Sequence, residues 1–168
     1  EKLGVDQVDL TLIHWPAPNG PVPAEEYLTA LADAQQQGLT REIGVSNFNI
    51  AGLRRAREIL GVVPLATNQV EIHPYLQNRR LVEFARGEGL HLTSYMTLAV
   101  GKVMDDPVLR DIAGAHGANP AQVALAWALA QGFSVIPSST KRENLAGNLR
   151  AQDLQLTTED MDLSLIHI

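Results

Sequence analysis

The chain has no cysteine in 168 residues. That excludes a disulfide, a thiolate nucleophile and a cysteine-ligated metal, and it fits a reducing compartment. No apolar run reaches the roughly 20 residues that a membrane-spanning helix needs. There is no long basic run, and the formal net charge is −6. Nucleic acid and anionic membrane are therefore poor partners. No His-x-x-x-His pair and no cluster of carboxylates offers a metal site. A Gly-x-Ser-x-Gly nucleophile elbow and a Walker loop are also missing. No Gly-x-Gly-x-x-Gly follows a strand-like run, which disfavours a Rossmann dinucleotide site.

What is present is the composition of a soluble globular protein, 45% hydrophobic and 19% charged, in a chain long enough for one sizeable core. Strand-like and helix-like stretches alternate. Val8 to Ile13 reads as a buried strand that stops at Pro16. Helical spacing follows over Pro23–Gln37, closed by Gly38. The alternation continues with a strand at Arg41–Ser46, a helix at Asn49–Leu60 and a strand at Leu65–Ile72. A helix at Asn78–Gly87 and a strand at Leu90–Met96 come next. Two helices, Pro107–His116 and Pro120–Gln131, each open on a proline. A strand at Phe133–Pro137 and a helix at Lys141–Leu149 complete the pattern. Five strands, each followed by a helix, imply a parallel α/β sheet with right-handed crossovers. Pattern alone leaves a doubly wound sheet and a barrel both open.

In either architecture, ligand and catalytic groups gather at the carboxyl ends of the strands. The residues there are His14 and Trp15; Ser46 and Asn47; Gln69 and Glu71; Tyr95 and Thr97; and Ser138, Ser139 and Thr140. Amides, hydroxyls, one imidazole and one phenol suit a neutral carboxamide, a flat ring and phosphates. Asn47 and Gln69 can hold an amide group, and Tyr95 can stack on a ring. Ser138 to Thr140 precede a helix start that favours phosphate, with Lys141 and Arg142 adding positive charge. Taken singly, Asn47 reads better as the cap of the next helix. His73, His91 and His116 read as structural or surface residues.

Four motifs then carry a resemblance: VDLTLIHWP at 8–16, IGVSNF at 43–48, NQVEIHPY at 68–75 and VIPSST at 135–140. In order and spacing they resemble the aldo-keto reductase family. The resemblance implies a (β/α)8 TIM-type barrel, of which this chain would cover about strands 4 to 8, and NADPH as cofactor. It implies reduction of small aldehydes and ketones, keto sugars or ketoaldehydes such as methylglyoxal, by a cytoplasmic and monomeric longer protein. Position by position, His14 matches the catalytic histidine that orients the carbonyl, and Trp15 a wall of the substrate pocket. Ser46, Asn47 and Gln69 match the carboxamide clamp. Tyr95, with Thr97 beside it, matches the residue stacked on the nicotinamide. Ser138, Ser139, Thr140, Lys141, Arg142 and Asn148 match the adenosine-phosphate segment. Ser138 stands where many members have lysine, and Asn144 where many have arginine. Lys141 and Arg142 are the cations left to read a 2′-phosphate.

The family's catalytic tyrosine, lysine and aspartate would lie before Glu1, so His14 alone leaves the proton unsupplied. Glu1 to Gly4 reads as the end of a helix closed by glycine. Residues 1–162 are therefore expected to be the carboxyl-terminal half of a barrel. Residues 163–168 match one translated frame of a common transposon-end sequencing adapter and are expected to be a non-native tail. Such a half barrel is expected to be inactive and to self-associate through open strand edges. Two rival readings remain. One is a non-catalytic NADPH-binding regulatory subunit. The other is a non-redox phosphate-binding barrel such as an aldolase, which would want a lysine at a strand end, and none is there.

Overall fold

The computed structural model of the chain describes residues 3–17 and 22–165, with side chains through 162. Its strands are β1 (Val8–Ile13), β2 (Thr40–Ser46), β3 (Thr67–Glu71), β4 (His91–Tyr95) and β5 (Ser134–Val135). They alternate with helices α1 (Ala24–Gln36), α2 (Ile50–Leu60), α3 (Arg79–Gly87), α4 (Pro107–Ala115), α5 (Pro120–Ala130), α6 (Arg142–Arg150) and α7 (Thr158–Leu165). Strand order follows chain order without reversal, as in a barrel and unlike a doubly wound sheet. The chain forms two compact units: residues 1–70 with 80–92, and residues 71–79 with 93–168.

In the first unit β2 is the central strand. It pairs in parallel with β1 from Val8 opposite Thr40 to Ile13 opposite Val45, and with β3 at Val45–Asn68 and Ser46–Gln69. Its Ile43 and Val45 are fully buried against Leu28 and Leu31 of α1 and Leu53, Ala56 and Leu60 of α2. The buried face of α2 is the one its helical spacing predicts. Gly44 is required by contact. A Cβ there would lie 2.6 Å from Leu12 Cδ2 and 2.8 Å from the Thr67 carbonyl oxygen. The strand β1 departs from expectation. Among the described residues it pairs along one edge only, and Leu10 is 43% exposed rather than buried.

In the second unit β4 and β5 pair at Thr93–Ser134 and Ser94–Val135. The strand β5 is two residues long, shorter than the sequence suggests, because Pro137 has no N–H for a ladder. Asp106 caps α4 by accepting from Val108 N and Leu109 N, and Pro107 takes the first helical position. A reciprocal Asn119–Gln122 capping box starts α5. That helix is buried almost all round from Val123 to Ala128, which suits its apolar sequence. A kinked 3-10 helix at Ala99–Asp105, with φ of 56° at Val100 and 88° at Gly101, has no period that the sequence reveals. Thr157 caps α7. Its Oγ1 accepts from Asp160 N at 3.1 Å, and its N donates to Asp160 Oδ2 at 2.8 Å. His116 Nε2 meets the same carboxylate at 2.8 Å. Glu1 and Lys2 of the expected helix end, and residues 166–168 of the expected tail, lie outside the described residues.

Two outcomes follow from this packing. Gly44→Ala is expected to lower the unfolding free energy by about 2 kcal/mol, because the Thr67 carbonyl would still block the methyl after the Leu12 tip had swung aside; urea denaturation measures it. Burial raises the Asp160 pKa, but hydrogen bonds from Thr157 and His116 outweigh it and hold the carboxyl below the ordinary aspartate value. The stability it contributes is whole above the unfolded-state pKa and is lost as pH falls through the lowered folded value. Asp160→Asn is expected to flatten that part of the acid limb, read as urea midpoints at falling pH.

Candidate functional site

In the first unit the ends of three strands meet around Asn47. Its backbone is left-handed, with φ of 63°, a conformation asparagine tolerates better than most residues. Its N donates to the Gln69 carbonyl at 3.0 Å. Its Nδ2 donates to the His14 carbonyl at 3.0 Å and to Ser46 Oγ at 3.1 Å. Ser46, 1% exposed, donates from Oγ to the same Gln69 carbonyl at 2.7 Å. One side chain thus ties the residues after β1 and β2 to each other, and its backbone reaches β3. The simpler reading of Asn47 as a helix cap fails, since Asn49 caps α2 by accepting from Gly52 N at 2.8 Å. His14 and Trp15 are exposed and lie edge to face, 6.2 Å between ring centroids. The side chain of Gln69 is half-buried.

Asn68 completes this arrangement, and sequence reasoning passed over it. It is fully buried, donates to the Phe48 carbonyl at 2.9 Å and accepts from Phe48 N at 3.4 Å. It therefore fixes the residue after Asn47. The signal was its place in the Asn68-Gln69 pair, on the opposite face of β3 from Gln69.

The second unit carries the remaining residues. Tyr95 is half-buried at the end of β4, and burial, then the nearby Glu71 carboxylate, push its phenol up. Thr97 is 3% exposed and shares a 2.6 Å hydrogen bond with Ser94 Oγ, which donates to the Ile72 carbonyl. Its hydroxyl is thus held by Ser94, the residue before Tyr95. A cavity of about 280 Å³ is bordered by Ser138, Ser139, Asn144 and Asn148. Ser139 Oγ accepts from Lys141 N at 3.1 Å and from Asn144 Nδ2 at 3.2 Å. The capping position of α6 is Lys141, and no side chain caps that helix, which leaves its first N–H groups to an anion. Thr140, Lys141 and Arg142 are exposed beside it.

His73 and His116 have structural surroundings, and His91 is exposed. Buried His73 has Nε2 3.1 Å from Glu71 Oε1, and Asn78 donates to the Glu71 carbonyl at 2.7 Å. Tyr75 donates to Asp106 at 2.9 Å; burial first, then that carboxylate, pushes its phenol up to about 12. Among the described residues no group of three or more His, Asp or Glu side chains could hold a metal. Among them, too, no helix is long and apolar enough to cross a membrane.

The profile described as the aldo/keto reductase family matches residues 1–164. Methylglyoxal reductase DkgB of Escherichia coli O157:H7 is 58% identical over 160 residues, covering 95% of this chain and 60% of that protein. The protein of that name in Yersinia pestis is 53% identical over 163 residues, covering 97% and 61%. The chain therefore spans about 60% of the length of these curated relatives. A crystal structure of a candidate 2,5-diketo-D-gluconic acid reductase B superposes with a TM-score of 0.92 at 41% identity, over 98% of this chain and 58% of that one. A mutant of Gox0644 in complex with NADPH superposes with a TM-score of 0.89 at 38% identity, over 95% and 58%. The five parallel strands and their helices are part of a (β/α)8 barrel, and the chain belongs to the aldo/keto reductase family.

Proposed function

We propose that the protein to which this chain belongs reduces small aldehydes and ketones with NADPH, among them ketoaldehydes such as methylglyoxal or keto sugars. The observation that carries the reading is the junction at Asn47, which fixes amide and hydroxyl groups at three successive strand ends. The uncapped start of α6, beside Lys141 and Arg142, is where the family resemblance puts the phosphates. When bound, NADPH supplies the hydride.

The chain's own residues bind and orient. Asn47 and Gln69, steadied by Ser46, hold the carboxamide, and Tyr95 backs the ring. Ser138, Ser139, Thr140 and Asn148 border the adenosine end, where Lys141 and Arg142 face a 2′-phosphate. His14 orients the carbonyl of the substrate, and Trp15 walls the pocket. The proton comes from the tyrosine and lysine that the family resemblance assigns to a region outside this chain, so the chain by itself turns over no carbonyl. Along β1, which among the described residues pairs on one edge and leaves Leu10 exposed, it self-associates.

Titration with NADPH, followed by tryptophan fluorescence, tests the binding. Asn47→Ala is expected to weaken NADPH about tenfold, the loss of one well-placed hydrogen-bonding group. Lys141→Ala with Arg142→Ala is expected to weaken NADPH and leave NADH unchanged. Failure of the unaltered chain to bind either nucleotide would refute the reading. In the full-length protein, His14→Ala is expected to lower kcat about a hundredfold with NADPH affinity intact. A full-length protein that binds NADPH and reduces no carbonyl would favour a regulatory subunit instead.

A further inference from the structure

A cavity of about 480 Å³ opens in the first unit at the other end of the strands from Asn47. Its apolar lining is Leu53 of α2, Val63 and Leu65 on the way into β3, Phe84 of α3, and Leu90 just before β4. Leu53 is 1% exposed, so the floor is core. Each helix wall is followed by a turn through a left-handed glycine, Gly61 at φ 60° and Gly89 at φ 65°, and a Cβ at either would meet nothing within 4 Å. The chain thus bends away at both walls without placing a side chain in the gap.

The rim is built from a pair of charges. Arg57 and Glu88 are ion-paired, and Arg57 Nη2 also donates to the Glu88 carbonyl at 2.8 Å. These contacts fasten the last turn of α2 to the turn after α3. They also cancel the charge at the mouth, so an ionic ligand would compete with a bond already made. A guanidinium has five N–H donors, and two contacts leave others for a neutral polar group. Phe84 presents a flat ring to the cavity lining, with Arg54 held 5.4 Å from its centroid. A half-open pocket of this volume falls within the roughly 300–1,000 Å³ of small-molecule sites, with apolar side chains toward its floor and the Arg57–Glu88 pair on its rim.

We propose that this cavity is a second binding site, for an uncharged aromatic molecule that carries one hydrogen-bonding group. The ring packs along Phe84 and Leu65, and the polar group meets Arg57 and Glu88. The site is independent of the nucleotide reading, since none of its residues is shared with it.

Indole is the probe, added to the 168-residue chain and followed by amide NMR shifts. Saturable shifts are expected at Gly61, Val62 and Gly89, with none at Ser46, Asn47 or Gln69, and the same shifts with NADPH present. Phe84→Leu keeps an apolar filling and removes the ring, and is expected to weaken indole about fivefold. Arg57→Gln, which spares the core, is expected to weaken it about threefold and serves if the first variant does not fold. No saturable shift, shifts confined to residues 46, 47 and 69, or full indole affinity in a folded Phe84→Leu protein would each overturn the proposal.

Discussion

The candidate site depends on one residue held in a conformation that most side chains avoid. With φ at 63°, Asn47 turns the chain sharply after β2. That turn lets its amide reach back to His14 while its N–H reaches across to Gln69. A residue without a side-chain amide could make the turn only at the cost of the link to β1. Glycine would make it easily and bind nothing. The position therefore needs conformational tolerance and hydrogen-bonding capacity together.

The packing around it serves to hold that turn. Asn68, fully buried, uses both ends of its amide on Phe48. Removing it would strand a buried N–H and C=O, at a cost of about 2 to 3 kcal/mol. Gly44 lets β1 and β3 close on β2. Ile43 and Val45 anchor β2 to α1 and α2. The left-handed turn is thereby over-determined by its neighbours, which is how a strained backbone persists.

Much of this was legible in the sequence because strand and helix periods are strong signals. The α2 face, the prolines of α4 and α5, and the gathering of polar residues at strand ends all follow from spacing and composition. What could not be read depended on tertiary contact. Asn47 and Asn49 are both good caps on paper, and only the geometry of the turn decides between them. Asn68 looked like one more polar strand residue, because its function is to satisfy a turn 20 positions away. Thr97 sits at a strand end like its neighbours, yet its hydroxyl is consumed by Ser94. The kink at Val100 has no local cause in residue preference, since a β-branched residue disfavours that backbone. The exposed Leu10 shows that alternation in a strand reveals which residues share a face, not how much of that face is covered.

The most direct test of the account is to watch the Asn47 and Gln69 side-chain amide resonances while NADPH is added. Both are expected to shift and to saturate with the dissociation constant found for the nucleotide as a whole. NADPH that binds while both resonances stay fixed would contradict it, and the junction at Asn47 would then be a structural clasp and nothing more.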